Sequence, residues 1–183
     1  KVKMRPLTEE ETKILFEKLS NYLGNNLLSL LEREDESYVF RLHKGNVFYM
    51  SETLAKAASI VPKKSLLSMG TCLGKFSKNN KFRLGITSLQ YIARLTPNKV
   101  WVKPGGEQSY IYGNHVIKRH ISRMTDGLSN NVGVVVYSMD ELPLGFGVLA
   151  KSSADMKNAD PETIAVYHQT DVGEYLREEA DLL

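Results

Sequence analysis

At 183 residues the chain is long enough for one large domain or two small ones, and 42% hydrophobic with 25% charged residues is ordinary for a protein that buries a core. The formal charge of +3 hides a segregation: from Lys56 to Arg123 thirteen Lys and Arg meet one acid, Glu107, while outside that stretch eleven meet twenty acids. No apolar run approaches the ~20 residues that span a bilayer, no signal-peptide core opens the chain, and a lone cysteine, Cys72, excludes an internal disulfide, which together predict a soluble protein of a reducing compartment.

Met4 reads as the natural start, with the three residues before it foreign to the protein. Thr8 followed by Glu11 is a capping box, and Leu15, Phe16, Leu19, Tyr22 and Leu23 recur at helical spacing up to a stop at Gly24. NNLLSLLERE reads as a helical turn or a strand. YVFRL and VFYM around HKGN predict a hairpin, and Ser51 caps a helix closed by Pro62. LLSMG, TCLGKFS and KFRLG read as further strands, the last two joined at Lys78-Asn79-Asn80. Thr87 is the expected cap of a helix through SLQYIARL, and Thr96-Pro97-Asn98 is the best boundary in the chain. Beyond it KVWVKPGGE, GVVVYSM, LGFGVLAK and IAVYHQ are short strands with glycine punctuation, suggesting a small barrel or sandwich. Gly145 and Gly147 within a strand pattern suggest a bulge or a close backbone approach. The end, TDVGEYLREEADLL, reads as an acidic helical turn or frayed tail. The class is α+β.

Catalytic and cofactor signals are thin. GTCLGK has the wrong glycine spacing for a phosphate loop and Phe76 where a hydroxyl is needed, and Gly145-Phe146-Gly147 lacks the third glycine of a dinucleotide fingerprint. His115 and His120 have no neighbouring metal-ligating partner in sequence, and Cys72 reads as a buried, inert thiol. Asp171 and Glu174 read as part of a solvated acidic face. No metal, no cofactor and no enzyme activity are expected. The basic middle, by contrast, projects a positive field whose commonest partner is a phosphate backbone. Lys75, Lys78, Lys81 and Arg83 lie on a predicted hairpin beside Phe76 and Phe82, and Lys118, Arg119 and Arg123 cluster after Gly113. Lys151 and Lys157 flank a Ser/Ala-rich loop that extends that surface. Cations supply sequence-independent affinity for nucleic acid, and aromatics add base stacking.

KVWVKPGGEQSYIYGNHVIK resembles the opening of a PUA domain, an RNA-binding pseudo-barrel, and GVVVYSMDELPLGFGVLAKSS resembles its central hairpin. From MRPLTEEET through FRLHKGNVFYM, GTCLGKFSKNNKFRL, PLGFGV and DVGEYLRE, everything after Lys3 is similar to the Nip-seven family of large-subunit ribosome-biogenesis factors. The resemblance implies an N-terminal α/β domain with antiparallel hairpins over residues 4–96 and a C-terminal PUA-type β pseudo-barrel over 97–183. It implies a non-catalytic nucleolar and nuclear factor, partnered by pre-rRNA and pre-ribosomal proteins, needed for pre-rRNA processing and 60S assembly. RNA binding maps to Lys103, Lys118, Arg119, Arg123, Lys151 and Lys157, with Lys75, Lys78, Lys81 and Arg83 as a secondary patch. Where many PUA domains carry Pro-Gly, this chain has Arg119-His120, which moves weight from backbone approach to side-chain charge. The alternatives are an RNA-modifying enzyme or its accessory subunit, and a protein adaptor in the pre-ribosome. A monomer is expected, since no coiled-coil heptad is present.

Overall fold

The computed structural model describes residues 4–62 and 65–178. The reading of Met4 as a start turns on residues 1–3, and the last acids of the tail are residues 179 and 181; both lie outside the described residues.

Helix α1 (Glu9–Leu23) begins where the sequence places it, with Thr8 and Glu11 closing a reciprocal capping box and Gly24 ending it at φ +53°. NNLLSLLERE folds as a 3-10 turn (Gly24–Leu27) and a single helical turn, α2 (Leu28–Leu31). Strands β1 (Tyr38–His43) and β2 (Asn46–Ser51) pair from Tyr38 opposite Ser51 to His43 opposite Asn46, leaving the two-residue turn Lys44-Gly45. Both turn residues have positive φ, the geometry that matches strand twist in tight hairpins. The Ser51 hydroxyl accepts the Leu54 N–H and caps α3 (Glu52–Ile60). Strands β3 (Thr71–Phe76) and β4 (Phe82–Leu84) complete an antiparallel sheet in the order β1-β2-β3-β4.

Two expectations fail in this half. LLSMG is not a strand: residues 66–70 join neither sheet, and the Leu66 carbonyl lies 3.3 Å from His43 Nε2 instead. Thr87 does not cap α4 (Leu89–Leu95), because a 3-10 turn (Ile86–Ser88) intervenes and its hydroxyl donates to the Cys72 carbonyl.

The second half contains β5 (Lys99–Val102), α5 (Pro104–Ile111), β6 (Val116–Ile117), β7 (Ile121–Met124), β8 (Gly133–Tyr137), β9 (Pro143–Leu149), α6 (Ser153–Lys157), β10 (Ile164–Asp171) and α7 (Glu174–Arg177). Strand β6, two residues, and β7, four, are too short to carry a period the sequence could reveal. The sheet order is β6-β10-β9-β8-β5-β7, with β5 and β8 parallel and the other pairs antiparallel. Its two edge strands, β6 and β7, are consecutive in the chain and joined only by the turn Lys118–His120. The sheet must therefore curl until its edges nearly meet, which makes it a pseudo-barrel. Gly145 permits the closest approach in that wall: a Cβ there would stand 2.2 Å from the Thr170 carbonyl oxygen, beside the register shift between His168 and Thr170.

The two sheets share a core. Leu15, Leu19, Tyr22 and Leu23 of α1 pack with Leu73, Phe82 and Leu84, and the same cluster takes in Val135, Tyr137 and Phe146 from the second half. Val134 and Val136 point the other way, into a barrel core with Val100, Val102, Tyr110 and Val166. Burial on both faces explains why GVVVY is a continuous apolar run rather than an alternating one. Thr96-Pro97-Asn98 is pinned rather than loose: the Thr96 hydroxyl donates to the Tyr22 carbonyl at 2.8 Å, and Asn98 Nδ2 to the Gly133 carbonyl at 3.1 Å. No described helix is long and apolar enough to cross a membrane.

The N-terminal segment carries a pH prediction. Arg5 exchanges backbone hydrogen bonds with Leu42 and makes a two-pronged contact to Glu11 at 2.7 and 2.8 Å. The Arg5 guanidinium, helped by the Thr8 N–H, lowers the Glu11 carboxyl from its ordinary 4.5 to about 2. A depressed folded-state value means stability that is complete above pH 4.5 and lost as pH falls toward 2. Because Arg5 is partly exposed, the screened contribution is about 1 kcal/mol. Glu11→Gln should lower stability by that amount at pH 7 and flatten this part of the acid limb, read from urea midpoints at successive pH values.

Candidate nucleic-acid interface

Four of the basic residues expected to contact RNA are brought to one edge of the pseudo-barrel. Lys103 follows β5 and its Nζ donates to the Arg119 carbonyl at 3.2 Å. Arg119, on the turn between the edge strands, pairs with Glu162 at 2.7 Å. Lys118 Nζ donates to the carbonyls of Lys157 (2.9 Å) and Ala159 at the C-terminal end of α6. Lys157 Nζ stands 3.6 Å from Asp126. Lys151 is exposed at the opposite end of α6, without an ion pair among the described residues. The Ser152 hydroxyl caps that helix on the Asp155 N–H.

These cations are not equivalent. The half-buried ammonium of Lys118 is spent on orphan carbonyls at a helix end, where a positive charge also meets the negative end of the dipole. It holds α6 in place. The pairs of Arg119 and Lys157 are solvent-exposed, and such pairs are worth about 0–1 kcal/mol, little enough to be exchanged for a phosphate. Arg123 stands apart. It lies on β7 opposite Trp101, its guanidinium 4.0 Å from the centre of the Trp101 ring, paired to Glu141. Trp101 in turn stacks on Tyr137, 5.9 Å between centroids, with Lys99 Nζ 5.2 Å from the Tyr137 ring.

The hairpin cations form a second surface. Lys75 and Arg83 are directly opposite in the β3–β4 register and both exposed, while the next pair, Phe76 and Phe82, turns to the other face with rings 5.1 Å apart. Those phenylalanines belong to the core and are not free to stack on bases. The β2–β3 register shifts between the Val47–Gly74 and Phe48–Cys72 pairs, and on its other side Gly74 lies so close to β4 that a Cβ there would stand 2.0 Å from the Arg83 carbonyl oxygen. Lys78 and Lys81 are exposed at the turn and its foot. Sequence reasoning missed Lys18 on α1: burial, and then the nearby charge of Arg83, lowers its ammonium below the ordinary value. The Cys72 thiol is pushed up by burial, as an inert thiol should be.

The C-terminal acids correct the reading of a solvated face. Asp171 is 0% exposed. One carboxylate oxygen is 2.7 Å from His168 Nε2 and accepts an Arg177 N–H at 2.9 Å; the other accepts the Gly173 N–H at 2.7 Å. Glu174 accepts the Thr170 hydroxyl at 2.6 Å and the Asp171 N–H at 3.2 Å. Ligating atoms of His168, Asp171 and Glu174 lie within 4.8 Å of one another, but the Arg177 guanidinium already supplies a cation to Asp171, and the group reads as an ion-pair network that pins α7 to the barrel. His115 Nδ1 accepts the His168 backbone N–H at 3.0 Å. Between this network and the hairpin runs a groove of about 590 Å³, lined on one side by Lys75 and Arg83 and on the other by Tyr112, His168, Gln169 and Glu174.

The family model described as NIP7/UPF0113, pre-PUA domain matches residues 4–86, and that of the UPF0113 PUA domain matches residues 98–180. The chain is 54% identical over 179 residues to the 60S ribosome subunit biogenesis protein NIP7 homolog of Sus scrofa, covering 98% of this chain and 99% of that one. It is 51% identical, with the same coverage, to the 60S ribosome subunit biogenesis protein nip7 of Schizosaccharomyces pombe. A PUA domain structure from Aeropyrum pernix aligns over 99% of this chain and 92% of that one, with a TM-score of 0.63 at 15% identity, and so shares the fold.

Proposed function

The chain belongs to the NIP7 family, and from that premise we propose that it is a non-catalytic, RNA-binding factor of 60S subunit biogenesis that takes part in pre-rRNA processing. In this reading an N-terminal domain over residues 4–96 and a PUA domain over 97–183 act as one body. The PUA domain grips pre-rRNA, and the first domain docks proteins of the pre-ribosomal particle or further RNA. The protein works as a monomer in the nucleolus and nucleus.

The observation that carries the reading is the gathering of Lys103, Arg119 and Lys157 at one barrel edge, over an α6 anchored by Lys118, with Lys151 exposed at the other end of that helix. Their exposed heads can exchange weak internal partners for phosphates, and each exchange releases a counterion. Arg123, on its Trp101–Tyr137 stack, and the hairpin cations Lys75, Lys78, Lys81 and Arg83 would extend the path. The same surface suits a chaperone of folding RNA, holding backbone without reading sequence.

Single-stranded RNA binding measured between about 50 and 200 mM salt tests this. Neutralising about five phosphates gives a log–log slope near −3.5. Arg119→Glu/Lys157→Glu should weaken binding more than Lys75→Glu/Lys81→Glu and make the slope shallower. A slope indistinguishable from zero would overturn the reading, and loss confined to the hairpin variant would move the main grip to the first domain.

A further inference from the structure

We infer that the groove between the two halves is a nucleotide subsite. It takes one base of a bound single-stranded RNA against Tyr112, with an adjoining phosphate held between Lys75 and Arg83. The inference rests on the RNA-binding reading above and adds a site that the barrel-edge cations do not include.

Two independent features point to it. On the first wall, Lys75 and Arg83 are directly opposite across an antiparallel pair, and neither has an ion pair among the described residues. Like charges directly opposite are destabilising, with side chains about 5 Å apart at their base. A doubly hydrogen-bonding anion placed between them would relieve the repulsion, and the guanidinium fork of Arg83 fits phosphate oxygens in particular.

On the second wall stands Tyr112, 69% exposed although it is a large aromatic, just before Gly113 turns the chain at φ +89°. An aromatic face held on a helix C-terminus and open to solvent is the stacking element that single-strand binding uses, and it accepts any base. Of the acids on this wall, Asp171 is paired with Arg177, while the carboxylates of Glu174, bonded by the neutral Thr170 hydroxyl and Asp171 N–H, and of Glu178 also line the groove, so the phosphate is assigned to the cations of the first wall. Gln169, exposed, and His168, half-buried, offer hydrogen bonds to a base edge. A volume of about 590 Å³ falls in the range of small-ligand sites. The hydrogen bonds of the His168–Asp171–Arg177 network fix this wall without needing a ligand, so the subsite is preformed.

The test uses the full chain and a single-stranded RNA of about ten nucleotides carrying one photo-crosslinking 4-thiouridine, moved along the strand. Crosslinked peptides containing residues 112–114 or 168–170 are expected from at least one position. Tyr112→Ala should weaken RNA binding about tenfold while Tyr112→Phe keeps it, because a ring and not a hydroxyl is needed. Lys75→Ala/Arg83→Ala should weaken binding and make the salt slope shallower by about 0.7–1.4, for one or two fewer phosphates. RNA that binds tightly but crosslinks only to the Lys103–Lys157 edge, with Tyr112→Ala binding as wild type does, would overturn the groove and leave the RNA-binding reading standing. RNA that does not bind at either salt would overturn both. The crosslinking arm needs no variant, so a folding defect in one of them does not decide the result.

Discussion

Replacing Tyr22 with alanine should cost about 4 kcal/mol, while Tyr22→Phe should be neutral or stabilise the protein by about 1 kcal/mol. Tyr22 is 0% exposed at the meeting of the two halves. Its ring stands edge-on to Phe146, 5.3 Å between centroids, and packs against Gly133, where a Cβ would come within 2.4 Å of it. No partner is present for its hydroxyl among the described residues, and burial pushes the phenol well above its ordinary value, so it stays neutral. Truncation to alanine removes a whole ring from a core that no side chain can refill, because the opposing residue is a glycine. Removing only the oxygen deletes a buried polar group that has nothing to bond. Urea unfolding followed by far-ultraviolet ellipticity and by Trp101, the sole tryptophan, reads both halves at once. The shared core predicts coincident transitions in the wild type. A Tyr22→Phe protein that is less stable by 1 kcal/mol or more would show that the hydroxyl has a partner, and would overturn this account of the junction.

Asp171→Ala should cost about 3 kcal/mol and detach α7 from the barrel. The carboxylate collects three donors, from His168, Arg177 and Gly173, in a fully buried position. Removing one partner of a buried charged network leaves the others desolvated and unpaired, which costs more than the pair itself contributes. Arg177 stays partly exposed and can return to water, which keeps the cost at the lower end for such changes. Asp171→Asn should cost about 1–2 kcal/mol: it can still accept the Gly173 N–H, but it offers Arg177 no charge. Arg177→Ala in the Asp171→Ala background should add little, because their contributions are coupled. Faster amide exchange over residues 172–178 in Asp171→Ala, with α1 unchanged, is the expected signature. A uniform loss of protection across both halves would show that the network supports the whole fold rather than one wall of the groove.

The features legible in the sequence were those that depend on neighbours along the chain. Thr8 and Glu11 are three residues apart and cap α1 wherever the helix goes; Ser51 does the same for α3. Lys44-Gly45 turns a hairpin because only two residues remain between paired strands. The segregation of charge is a property of composition, and the likeness to a family was carried by motifs spread over both halves. Failures came where a tertiary partner competed with a local signal. Thr87 had a helix to cap, but its hydroxyl found the Cys72 carbonyl; LLSMG had strand composition, but Leu66 is buried with its carbonyl against the His43 ring.

The site divides in the same way. That Lys75, Lys78, Lys81 and Arg83 would share a hairpin followed from the sequence, whereas the register that sets Lys75 opposite Arg83 did not, and Arg123, expected beside Lys118 and Arg119, stands apart over Trp101. What each cation does is decided by residues far away in the chain. Lys118 binds carbonyls some forty positions on, Arg123 lies over Trp101, and Asp171 is buried because His168 and Arg177 close over it. The groove joins a hairpin of the first half to a helix end and a strand of the second, so no window of sequence contains it. Charge and periodicity are additive along a chain and can be read there. Burial, pairing and concavity arise only when segments meet, and here the meeting is made by a pseudo-barrel whose edges close around one short turn and by a core that the two sheets hold in common.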